Sequence, residues 1–130
     1  MTKLGRLNLL IVLTIVIFAA KVFGGTNPAG QVAVAANGDI ITATEYKTGF
    51  YDDIAVRKHR ANGLPDSRFG AGGRVVTSLG SVNSRASGVL IQPDGKILVS
   101  AFLRGNSSKI VLFRYTGSGA LDTTFGGGDG

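Results

Sequence analysis

His59 is the only histidine in this chain of 130 residues, and there is no cysteine. A nucleophile–base–acid triad or a zinc site would need every other member to converge on that one imidazole. Covalent and transition-metal chemistry are therefore poorly supplied, and no catalytic residue and no cofactor is expected. Among the eight acidic residues, Asp52 and Asp53 are the only adjacent pair, in the segment KTGFYDD. Their oxygens suit a hard cation such as calcium. No regularly spaced acids lie beside them, so a solvated loop tip without metal is the expectation. Phe50 and Tyr51 precede them. Aromatic rings on a loop form the kind of platform on which sugar rings stack, so Phe50, Tyr51, Asp52 and Asp53 are the candidate ligand-contact loop.

Two other acids, Asp66 and Asp122, occupy equivalent places in two similar stretches, as do Phe69 and Phe125. A residue that recurs once per unit reads as a turn or capping group: the carboxylate accepts backbone N–H bonds in a tight loop, and the phenylalanine plugs between units. A glycosidase pair needs two acids roughly 5–10 Å apart across one pocket, which repetition does not supply. Arg57, Lys58 and Arg60 form the only basic cluster. They could touch phosphate or an acidic polysaccharide, but on a strand Arg57 and Lys58 point to opposite faces. Their expected role is to keep a sheet edge from pairing. FGAGGR and FGGGDG contain Gly-x-Gly, yet neither has the strand before, the helix after, or the lysine or further glycine of a nucleotide-binding loop.

The elements that must position these residues come from an internal repeat. Asn37-Gly38-Asp39-Ile40-Ile41 matches Asp94-Gly95-Lys96-Ile97-Leu98 at a spacing of 57, and Val56 to Gly70 matches Leu112 to Gly126 at a spacing of 56. The one-residue slip falls between Thr42 and Ile54. In VLIQPDGKILVSAF two apolar runs, Val89 to Ile91 and Ile97 to Phe102, flank Pro93-Asp94-Gly95, which is hairpin-turn chemistry. VAVAANGDIITAT repeats the device around Asn37-Gly38. Third strands are expected at 54–59 and 110–115. Ile110, Val111, Leu112 and Phe113 are consecutive apolar residues, as in a sheet covered on both faces. A fourth strand is expected at 74–79. Each unit is thus about four short antiparallel strands, which fits a β-propeller blade better than a sandwich.

At the other end, MTKLGRLNLLIVLTIVIFAAKVFGG places Lys3 and Arg6 ahead of an apolar run from Leu9 to Ala20, the order of a secretory signal. Cleavage after Gly24 would put Val22 and Gly24 at the small-residue positions; the alternative is an uncleaved anchor. Without residues 1–24 the formal charge falls from +6 to +3. A modest, scattered charge is not the clustered basic face of a nucleic-acid binder. Membrane contact is expected only through the N-terminal segment.

QPDGKI followed by RY and LDTTFG resembles the delta-60 repeat, which occurs in tandem in large exported bacterial proteins. The second copy matches it well, through Gln92 to Ile97, Arg114-Tyr115 and Leu121 to Gly126. The first is degenerate, with Ala36-Asn37 for Pro-Asp, Lys58-His59 for Arg-Tyr, and Pro65 to Gly70 for the last block. The resemblance implies a propeller-like fold and a secreted or cell-surface location, and assigns no activity. The chain divides on this reading into a signal peptide or anchor at 1–24, a linker at 25–30, a degenerate repeat at 31–87 and a truncated repeat at 88–130. Its expected form is an all-β, incomplete propeller of about two four-stranded blades after an N-terminal signal helix. The glycines after Phe125 stand where the next strand would begin. Asp66, Phe69, Gly70, Asp94, Gly95, Asp122, Phe125 and Gly126 are its structural signature. The expected function is that of a non-enzymatic scaffold whose blade loops bind carbohydrate or protein, or further copies of the repeat. The alternative is a piece of a larger propeller enzyme, such as a glycan hydrolase, with its catalytic residues elsewhere.

Overall fold

The computed structural model describes residues 30–105 and 107–127. The signal segment and all but the last residue of the linker lie outside the described residues. Among the described residues seven strands form two antiparallel sheets. Sheet A runs β1 (Gly30–Val34), β2 (Ile40–Thr48), β3 (Tyr51–His59), β4 (Arg74–Thr77) in spatial order. Sheet B runs β5 (Asn83–Ile91), β6 (Ile97–Arg104), β7 (Lys109–Tyr115). The fold is all-β, with no helix among the described residues.

The repeat is carried by matching hydrogen bonds as well as matching letters. Gln92 N–H donates to the Lys96 carbonyl and Gly95 N–H to the Gln92 carbonyl, while the Asp94 carboxylate accepts from Lys96 N–H. Ala35, Gly38, Asp39 and the Asn37 side chain repeat this turn in sheet A. Sequence period and sheet do not share a boundary: position 87/88 falls within β5, at a register shift between Ala86 and Gly88, whereas the sheets divide across residues 78–82.

The core lies between the sheets. In sheet A, Ile41, Ala43, Ile54 and Val56 alternate onto one face. In sheet B, Ile97, Val99, Ala101, Phe113 and Tyr115 do the same. Packed together they remove these side chains from water, at about 1.5–3 kcal/mol for each large one. The Tyr115 hydroxyl, 2.6 Å from Thr77 Oγ1, bridges the two sheets. Burial raises its pKa, and the Thr77 bond partly offsets that.

Three expectations change. KTGFYDD is not a polar loop: β2 and β3 pair through to Thr48 and Tyr51, leaving a tight turn of Gly49 and Phe50. Arg57 and Lys58 are not edge charges, because β3 lies between β2 and β4. They do face opposite ways: Arg57 donates to Thr44 Oγ1 and lies over the Tyr46 ring, whereas Lys58 Nζ reaches Asp39 and Asp66. Sheet B is also not covered on both faces. Val111 and Phe113 point inward, but Ile110 and Leu112 are 67% and 52% exposed.

A candidate ligand-binding cleft

The ends of two hairpins meet at one side of the molecule. The tight β2–β3 turn brings Phe50, 96% exposed, and Tyr51, at the start of β3, to this end of sheet A. The end of β6 and the start of β7 supply Arg104 and Lys109 from sheet B. Between them lies a cleft of about 460 Å³, lined among others by Tyr51, Leu79, Asn83, Leu103, Arg104 and Lys109. Asn83 closes it from β5, accepting the Asp52 backbone N–H at its side-chain oxygen, 3.0 Å away. Arg104 and Lys109 have no ion pair among the described residues, so the cleft is positive with an aromatic wall. It suits a ligand with flat apolar faces and hydroxyl or acidic groups.

Of the four loop residues expected to contact ligand, the structure leaves two well placed. Phe50 and Tyr51 are exposed. Asp52 is half-buried and held through its backbone. Asp53 is buried, and its carboxylate accepts the Thr48 hydroxyl, so it is not a ligand arm. No group of three or more potential metal ligands occurs among the described residues. Arg104, Lys109 and Asn83 are absent from the sequence-derived set. The signal was available: RGNSSK is the second-repeat counterpart of KTGFYD, and equivalent hairpin ends must share a side of stacked sheets.

The signature acids sit elsewhere, each in a nest of cations. The Asp66 carboxylate accepts from Arg68 and lies within 3.7 Å of both Lys58 and Arg60. Asp122 accepts from Thr124 and is 2.9 Å from Lys96 Nζ and 2.8 Å from Arg114 Nε. Both also cap their own loops, through Arg68 N–H and Thr124 N–H. The Arg68 bond lowers the Asp66 pKa to about 2, and Thr124 with Lys96 pulls Asp122 lower still. Held ionised, neither carboxyl can serve as the proton donor of a glycosidase pair near neutral pH. The Asp122 copy of this loop block lies within the one segment that a family model matches.

Residues 92–125 match the family model described as "Domain of unknown function (DUF5122) beta-propeller". No curated protein and no solved structure matches the chain. The DUF5122 match spans Asp94, Gly95, Asp122 and Phe125 and indicates a β-propeller domain, to which the two stacked antiparallel sheets conform. Arg104 and Lys109 fall inside the matched segment; Phe50 and Tyr51 fall outside it.

Depressed carboxyl pKa values give a signed pH dependence. Stability from Asp66 is complete above the ordinary pKa of 3.8 and is lost as the pH falls towards about 2. The melting temperature should therefore drop steeply between pH 4 and pH 2. Asp66→Asn should flatten that drop while lowering stability at pH 7. An equally steep fall in the variant would show that the Asp66 nest contributes nothing to acid sensitivity.

Proposed function

We propose that the chain is a non-enzymatic, exported protein of the delta-60 repeat type, a secreted or cell-surface scaffold that binds carbohydrate in the cleft between the two hairpin ends. The carrying observation is the cleft itself, lined by the exposed Tyr51 ring, with Phe50 on the adjacent turn, and by two cations, Arg104 and Lys109, that form no ion pair among the described residues. A pyranose ring can lay its C–H face on Tyr51 while Asn83, Arg104 and Lys109 donate to its hydroxyl or carboxylate groups. Export is supported by the basic-then-apolar order of residues 3–20.

The test is a titration of the purified chain with neutral and uronate-containing oligosaccharides, followed by calorimetry. Binding should weaken at least tenfold in Tyr51→Ala, with the fold unchanged by circular dichroism. Arg104→Ala should weaken a uronate ligand more than a neutral one. Binding that survives Tyr51→Ala undiminished places the ligand elsewhere and sinks the reading.

A further inference from the structure

The contact between the two sheets has a polarity, and each half of it recurs at an outer surface on which no further sheet packs among the described residues. At the used contact, sheet A presents Ile41, Ile54 and Val56. By the spacings of 57 and 56, their counterparts on sheet B are Leu98, Ile110 and Leu112. These three share the outer face of sheet B with Phe102 and Leu90, and all but Leu98 are exposed. Residues of the kind that are buried in the first sheet are thus left in water in the second.

The loops repeat the asymmetry more sharply. At the used contact, Phe69 is fully buried and Gly70 N–H donates to the Ser118 carbonyl at 2.8 Å. Gly119 is wedged so closely there that a Cβ would lie 2.8 Å from Val75 and 3.1 Å from the Phe69 ring. Phe125 and Gly126 repeat Phe69 and Gly70, and Gly126 has the same left-handed backbone. Phe125 is only half-buried, with Arg114 over its ring, and Gly126 N–H has no acceptor among the described residues. Asn62 and Gly63 repeat Ser118 and Gly119, and their turn closes with the same two hydrogen bonds. A Cβ at Gly63 would meet nothing within 4 Å. Among the described residues, therefore, an open head is left at Phe125–Gly126 and the outer face of sheet B. Among the described residues the molecule also carries an open tail at the Asn62–Gly63 turn, beside an outer face of sheet A on which Ile40, Asp53 and Ala55 are buried and Thr42, Thr44 and Arg57 half-buried.

The geometry points to head-to-tail association of this chain with itself, the outer face of sheet B in one copy taking the outer face of sheet A in the next. Gly126 N–H then donates to the Asn62 carbonyl of the neighbour, as Gly70 does to Ser118 within one chain. The contact continues an interface already present, so it brings no new geometry. The tail is more polar than its intramolecular counterpart, with Thr42 and Arg57 in the places of Val99 and Phe113. The association is accordingly weaker than the union of the two sheets. Because the contact is heterologous, it closes into a ring if the rotation permits.

A mixing experiment tests it on the purified full chain. Light scattering at tens of micromolar should give one discrete mass, a whole multiple of the chain. Leu112→Asp blocks the head at an exposed position. Gly63→Asn blocks the tail with a residue that tolerates the left-handed backbone. Each variant alone should be monomeric, with a circular dichroism spectrum like that of the parent. Mixed, they should form a one-to-one dimer, since one keeps a head and the other a tail. A monomeric parent, a polydisperse parent, variants that associate as the parent does, or a mixture that stays monomeric would each overturn the proposal.

Discussion

Phe69→Ala should lower the free energy of unfolding by about 3–5 kcal/mol, the range for emptying a buried aromatic site. The ring is fully buried in the cluster with Ile54, Val56 and Tyr115, and Gly119 of the second repeat lies against it. Phe125→Ala, the same change one repeat later, should cost only about 1 kcal/mol, because that ring is half-exposed and its main partner is a stacked guanidinium. Urea unfolding of both, in the Leu112→Asp background to remove self-association, compares them at constant m value. Equal losses would show that the two repeats do not differ in inter-sheet packing.

The second large effect is Gly119→Ala. Two costs add there. The backbone is left-handed, with φ of 91°, and strains any side chain; the new Cβ would also lie 2.8 Å from Val75 Cγ2 and 3.0 Å from Gly70 N. Backbone strain of about 1 kcal/mol and overpacking of about 1–3 kcal/mol give a loss of about 2–4 kcal/mol. Gly63→Ala carries the strain alone, since its Cβ would point into open space, and should cost about 1 kcal/mol. Thermal melts of the two variants decide it. If they match, steric wedging between the repeats is not what holds Gly119.

Strand patterning made much of this legible. Pro93-Asp94-Gly95 and Asn37-Gly38 fix two hairpins because turn chemistry is local, and the periods of 57 and 56 announce two equivalent units. The structure adds that equivalence reaches single hydrogen bonds, as at Asp66 and Asp122. Side-chain fate beyond the turn was not legible. KTGFYDD reads as a loop by composition, yet the β2–β3 ladder extends to the turn, and Asp53 is buried on the face it shares with Ala55 and Arg57, away from sheet B, where its carboxylate accepts the Thr48 hydroxyl. Ile110 to Phe113 reads as a doubly covered strand, although sheet A covers only the inner face of sheet B. The cleft escaped for a related reason. Tyr51 lies 53 residues from Arg104 in sequence, and only stacking of the sheets sets them across one opening.

What the sequence determined by itself is therefore what neighbours along the chain decide: an all-β chain, its turns, its repeat, and an N-terminal run with the order of an export signal. Tertiary structure alone decided which copy of each repeated residue is satisfied. Phe69 and Phe125 have the same local context, and so do Gly119 and Gly63. They differ because sheet A packs its inner face on sheet B, while among the described residues no third sheet packs on either outer face. Burial is a property of what packs opposite, and that information does not reside in any one segment.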